Sequence, residues 1–460
     1  MMWGCEGKLM KLATKRCITA LGTLFLGGAL GFQPLSAQLA ATTSTATQTV
    51  YAGSCGTPNK ATISLAVAAV AAGGTVKVCP GTYAEQVVIA KNLTLIGVQS
   101  GTADAAVITS PAGGVVQNSN DTYPGAFPVA AQVLVQNAAN VNISNITVDG
   151  SGNLVTTCGL DLRGIYYQNA SGTLNQVATR NQVLPAGYTG CQSGEGIFVQ
   201  SGYSGGTAKV NILSSSVSSF DKNGITVDGP GAGGNIAGNF IAGVGPTTGA
   251  AENGIQISDG AAGTILGNVI MDEIWAPDTS SQPYNAASGI LIYASQNVVV
   301  EANVVGSTQY GIVTITDNTS GVENNPLGLG DHTIINNNLV QNTQIFDAID
   351  VCSNSNSIQG NTIFNATESG IHLDSTCGTT GTKNIVFLNT INESCAGILE
   401  GATTGNSIGG TNFSNVVNTT LSGNVCPAPV APAVAANAAA AVTAANVASS
   451  GAAVHPTPVR

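Results

Sequence analysis

GIYYQ (164–168) is the phrase on which the fold turns, because it keeps returning. It reads GIFVQ from Gly196, GITVD from Gly224, GIQIS from Gly254, GILIY from Gly289 and GIVTI from Gly311. It continues as AIDVC from Ala348, GIHLD from Gly370 and GILEG from Gly397. The steps are 32, 28, 30, 35, 22, 37, 22 and 27 residues, a floor of 22 with variable excess. Helical repeats keep a more constant length, since helix pairs must stack on helix pairs. Here each unit carries two or three short β-branched runs separated by Gly and Asn, with elastic loops between. That suits a coil of parallel strands whose turns can swell while the strands stay in register. Alternation then places Ile165, Ile197, Ile225, Ile255, Ile290, Ile312, Ile349 and Ile371 in one inward stack. A second phrase (IAGNFI, ILGNVI, INNNLV, IQGNTI) puts Asn239, Asn268, Asn303, Asn338, Asn361 and Asn389 in a stack at a bend. Asn suits that place for two reasons: it tolerates unusual backbone angles, and its amide can bond its copy above and below.

With GGTVKVCPGTYAEQVVIAKNLTLIGV (Gly73–Val98) as an opening segment, the chain resembles the right-handed parallel β-helix proteins of the pectin-lyase-like superfamily, over roughly residues 50 to 425. The resemblance implies an all-β, single-stranded right-handed parallel β-helix, a solenoid with an N-terminal capping helix. It says little about activity, because that superfamily holds lyases, hydrolases, esterases, epimerases and proteins without catalysis.

Residues 1–37 read as an export signal: Lys8, Lys11, Lys15 and Arg16 precede an apolar run from Ile18 to Phe32, and Leu35-Ser36-Ala37 offers a cleavage site. Residues 38–49 are a Ser/Thr/Ala leader without periodicity, expected to be disordered. The β-helix domain is expected over 50–426, opening at Val50, with a capping helix from Pro58 to Ala72 and Thr57 as its N-cap. Ile63, Val67 and Val70 would plug the open end of the first coil. Residues 427–460 are a low-complexity Ala/Pro tail.

Without the signal the chain carries 9 Lys/Arg against 23 Asp/Glu, a formal charge near −14, which argues against nucleic acid and anionic membrane surfaces as partners. No later apolar run is long enough to span a bilayer, and a monomer is expected. Eight cysteines remain: Cys55, Cys79, Cys158, Cys191, Cys352, Cys377, Cys395 and Cys426. Pairing neighbours gives separations of 24, 33, 25 and 31, each near one coil length, so sequential disulfides would staple adjacent coils.

Function must come from the outward face. Counting from each Gly, positions +2 and +4 point out if +1 points in. Two patches there depart from a bland polar ladder. One holds Tyr166, Gln168, Phe198, Gln200 and Asp228, with Glu195 at its edge. The excursion Met271–Ser288 is expected to fold over it and bring Trp275, Asp272, Glu273, Asp278 and Tyr284. Aromatic faces beside amides and carboxylates match a sugar ring. The other patch holds Asp350, His372 and Asp374, an acid/base constellation that could also hold a metal. Asp228 with Asp259 is a further acidic pair.

Between Lys222 and Lys383 there is no Lys or Arg, against fourteen Asp/Glu. Such a face repels a polyuronate unless Ca2+ bridges it, so Ca2+ is the candidate cofactor. Arg163, Arg180, Lys209 and Lys222 are the remaining candidate bases; Arg163 and Glu195, both just before a GI phrase, are expected to form an ion pair. The signatures of polygalacturonases, pectin methylesterases and alginate epimerases are missing from the sequence. Two classes stay open: an exported protein that binds or processes a polysaccharide, as a lyase or hydrolase, and a non-catalytic adhesive or structural solenoid of the cell surface.

Overall fold

The computed structural model describes residues 48–99, 104–122, 126–185, 191–276, 287–316, 330–375, 381–401 and 405–422. The expected signal, most of the leader, the tail, Cys377, Cys426, Asp278 and Tyr284 lie outside these residues.

Short strands succeed one another along the chain and stack into three parallel sheets of 14, 12 and 13 strands. Each coil lays one strand in each sheet, so the GI phrases all fall in the 13-stranded sheet. There Ile165, Ile197, Ile225, Ile255, Ile290, Ile312, Ile349, Ile371 and Ile398 pair in unbroken register. All are fully buried and belong to one continuous core running the length of the solenoid.

The glycine of the phrase has a steric cause. A Cβ on Gly196 would sit 2.7 Å from the Gly224 carbonyl of the next coil, and one on Gly224 would sit 2.6 Å from that of Gly254. The pairing ladder skips these glycines: Arg163 pairs Glu195 and Ile165 pairs Ile197, with nothing between. The chain bends at the skip, which brings the residue before the glycine onto the same outer face as +2 and +4.

The Asn stack sits between the 14- and 12-stranded sheets. Each Nδ2 donates to the next Oδ1, from Asn239 through Asn268, Asn303, Asn338 and Asn361 to Asn389, at 2.9–3.0 Å. The amide half of the expectation is therefore met. The backbone half is corrected: the left-handed residue is the one before each Asn. These are Gly238 (φ 65), Gly267 (φ 62), Ala302 (φ 55), Asn337 (φ 54), Gly360 (φ 65) and Leu388 (φ 55). A second ladder, Asn356 to Asn384, stands at another corner, between the 13- and 14-stranded sheets.

The capping helix is shorter than expected, Ile63–Ala69, and its N-cap is Thr62, whose Oγ1 accepts from Leu65 N at 3.1 Å. Asn59–Lys60 is taken instead by a short strand that pairs Tyr51 and Ala52. Glu85 accepts from the free amides of Ile63 (2.8 Å) and Ser64 (2.9 Å), which the helix leaves without partners. Ile63, Val67 and Val70 are buried against the first coil, as the pattern requires. The first strand opens at Thr49, one residue early.

Cys55 bonds Cys79 and Cys158 bonds Cys191, as sequential pairing predicts. Cys352 and Cys395 are also in disulfides, and their expected partners lie outside the described residues. Among the described residues no helix is long and apolar enough to cross a membrane.

Candidate functional site

A cleft of about 590 Å³ opens on the outer face of the 13-stranded sheet at its early coils. Its walls come from three columns of that face: Arg163, Glu195 and Asn223 before the glycine, Phe198, Thr226 and Gln256 at +2, and Gln200, Asp228 and Ser258 at +4. Asp121, Ala126 and Phe127 from one loop, and the Cys158–Cys191 disulfide, form the rim.

At its core Arg163 lies between rings and acids. Its guanidinium is 3.6 Å from the Phe198 ring centroid and 4.4 Å from that of Tyr166, 2.6 Å from Asp161 and 3.1 Å from Glu195. The expected Arg163–Glu195 pair is present, and Asp161 shares it. Along the +4 column Gln200 donates to Asp228 (2.8 Å), which also accepts from Ser258 (2.9 Å) and Tyr203 (3.0 Å).

The first predicted patch is thus brought together, but differently from expectation. Tyr166 is fully buried, its hydroxyl donating to Gln200 at 2.7 Å. Gln168 accepts from Ser119 (2.8 Å), and Gln200 from the Thr122 amide (2.8 Å). Ser119 and Thr122 therefore lie against this patch, held by the antiparallel pairing of Ser119 and Asn120 with the strand Pro128–Gln136, and most of the excursion expected to cover it, 277–286, lies outside the described residues. Trp275 does not line the cleft. It ends the strand Val269–Trp275 of the 12-stranded sheet and packs on Ala251 and Ala287, 7% exposed. In its place the rim carries Phe127, 43% exposed.

The second predicted patch also assembles. Asp350 and His372 pair in register on adjacent coils, with His372 Nδ1 3.9 Å from Asp350 Oδ1. The third partner is Asp347, at 3.1 Å from Nδ1, rather than Asp374. Asp347, Asp350 and His372 hold ligand-type atoms within 4.8 Å of one another, and Asp374 stands outside that group. Asp347 precedes Ala348 as Glu195 precedes Gly196, so both sites draw on the column before the glycine.

No protein-family profile matches the chain, and no curated protein sequence does. Solved structures do. PfbA, a surface adhesin of Streptococcus pneumoniae, gives a TM-score of 0.51 at 13% identity, over 79% of this chain and 88% of its own. The GH136 lacto-N-biosidase of Eubacterium ramulus gives 0.50 at 11%, over 75% and 62%. The A-module of the Azotobacter vinelandii mannuronan C-5 epimerase AlgE6 gives 0.44 at 16%, over 78% and 94%. The fold is the right-handed parallel β-helix. At such identities the likeness speaks of the β-helix alone, and the chemistry rests on the residues.

Burial, then the charge of Asp161, push the Glu195 carboxyl well above the usual carboxylate range, against the pull of Arg163 and Lys222. Desolvation brings the Lys222 ammonium down to about 8, although Glu195 opposes it. The β-helix face thus sets a carboxyl whose charged form burial disfavours beside an amine that gives up its proton more readily than a free lysine. In the other site, desolvation works against the His372 imidazolium, yet the hydrogen bond and charge of Asp347, with Asp350 and Asp374, hold it up at about 10. Burial raises Asp350 well above its ordinary value, with Asp347 and Asp374 adding to the effect and His372 opposing it.

Proposed function

We propose that the chain is an exported β-helix protein that binds a neutral glycan in this cleft and hydrolyses it there. The observation that carries the reading is the composition of one cleft: the exposed ring of Phe127 lines it together with Asp228, Gln256 and Asn223. An apolar platform beside amide and carboxylate partners is what a sugar ring with hydroxyls on its rim requires. Glu195, in which burial favours the protonated form, is suited to donate to a leaving glycosidic oxygen, and Asp228, already oriented by three donors, is the second carboxylate of the cleft. The acidic balance of the face favours an uncharged glycan over a polyuronate. The disulfides fit an oxidising compartment and so support export.

Two readouts test the proposal separately: retention on a panel of immobilised polysaccharides, and release of reducing ends. Phe127→Ala is expected to weaken retention about tenfold, corresponding to ~1.4 kcal/mol. Glu195→Gln is expected to retain binding and abolish release. Retention that Phe127→Ala leaves untouched would remove the cleft from the reading. Retention without any release by the wild type would leave the protein an adhesive solenoid.

A further inference from the structure

Three coils beyond the Gln256 and Ser258 wall of the cleft on the same face, ~14 Å at ~4.8 Å per coil, stand Asp347, Asp350 and His372. We propose that these three side chains bind one divalent first-row transition ion, with Zn2+ the best-fitting member.

The site has the features of a built one. Asp347 is 2% exposed, and its Oδ1 accepts from both the amide (3.0 Å) and the hydroxyl of Ser369, one coil on. That leaves Oδ2 turned toward His372. Such outer hydrogen bonds are what fixes a ligating carboxylate. Asp350 is 6% exposed, and its Oδ1, the oxygen facing His372, has no hydrogen-bond partner. A buried carboxylate oxygen without a donor is costly, and a cation between it and the imidazole removes the cost. The imidazole, its side chain 18% exposed, is the most open member and gives an ion access from solvent.

Distances and donor types choose the ion. An ion ~2.1 Å from each donor sets tetrahedral neighbours ~3.4 Å apart, and the observed separations of 3.1 and 3.9 Å bracket that value. A ring nitrogen with two carboxylates suits Zn2+ or its neighbours, whereas Ca2+ takes oxygen donors and six to eight of them. The ion expected from the acidic face, Ca2+, is therefore the wrong one for this position. The site is also independent of glycan binding, so its test does not share that reading's fate.

The untagged full chain, stripped with chelator, is dialysed against Zn2+ and the bound metal counted. One tight equivalent is expected, undisplaced by thousandfold Ca2+. Asp350→Asn, which keeps the shape, and His372→Gln should each weaken binding at least tenfold. Ser369→Ala, acting through Asp347, should weaken it about tenfold, and His332→Ala should change nothing. Should Asp350→Asn fail to fold, the Ser369→Ala result and the Co2+ absorption spectrum of the wild type, whose intensity reports a four-coordinate site and which His372→Gln should alter, decide the matter. Undiminished Zn2+ binding in the Asp350 and His372 variants, or a site filled equally by Ca2+, would overturn the proposal.

Discussion

Asn303→Ala removes one rung from the middle of the amide ladder, and the structure sets the cost. The side chain is buried and makes four hydrogen bonds. Its Oδ1 accepts from the amide and the Nδ2 of Asn268, both at 2.9 Å; its Nδ2 donates to Ile265 O (2.9 Å) and Asn338 Oδ1 (3.0 Å). Asn268 Nδ2 keeps a second acceptor in Ile236 O, and Asn338 Oδ1 keeps the Asn303 amide as donor. The Asn268 amide keeps no other acceptor and is stranded in the core. A stranded buried donor costs about 1–3 kcal/mol and each other lost bond about 0.5–1 kcal/mol, so the expected loss is about 4 kcal/mol. Asn303→Asp sharpens the test. It preserves both acceptor contacts but points a carboxylate oxygen at Ile265 O and Asn338 Oδ1, so it should be no less damaging than alanine. The exposed pair Asn235–Asn211, at 3.4 Å, is the control, and Asn235→Ala should cost at most ~0.5 kcal/mol. Urea unfolding with disulfides intact measures all three, and amide exchange at Asn268 reports the local opening that solenoids permit. If Asn303→Ala falls within ~1 kcal/mol of Asn235→Ala, the ladder is ornament and the reasoning fails.

Leu388, 61% exposed at φ 55, should be improved by glycine: relief of ~1–2 kcal/mol of left-handed strain outweighs ~0.5–1 kcal/mol of added chain freedom, and a drop in the urea midpoint would contradict this. Burial lifts Asp221 from 3.8 to about 7, against the Leu184 amide that donates to it. The sign follows: the unfolded chain loses this proton first, so stability is lost as pH rises from about 4 to about 7, on the order of 4 kcal/mol. Asp221→Asn should flatten that part of the melting-temperature profile; an unchanged slope would clear Asp221. Cys158→Ser with Cys191→Ser opens a 33-residue link and should cost about 3–4 kcal/mol while loosening the cleft rim, read as a fall in both melting temperature and glycan retention.

The parts of this molecule legible in the sequence are those where one coil repeats the last. Parallel in-register stacking turns sequence recurrence into contact, so the Ile column, the Asn ladder and the Asp350–His372 pair could be read as columns of letters. What breaks the repeat could not. Ala302 and Leu388 take the left-handed turn because the ladder Asn after them must aim its amide along the stack, and neither residue type announces that role. The hold of Ser119 and Thr122 on Gln168 and Gln200 could not be read either, because it depends on the antiparallel pairing of Ser119 and Asn120 with Pro128–Gln136, which departs from the repeat. The most consequential miss has a single cause. Strict alternation sends the residue before each glycine inward with the isoleucine; the skipped glycine sends it outward instead. Asp347 stands in that column, before Ala348, and completes a site whose other members alternation had already placed; Glu195 stands there too, though the sequence had already set it at the edge of its patch. A column that alternates wrongly at a residue too small to hold the pleat is therefore where a β-helix of this kind should be searched for its chemistry.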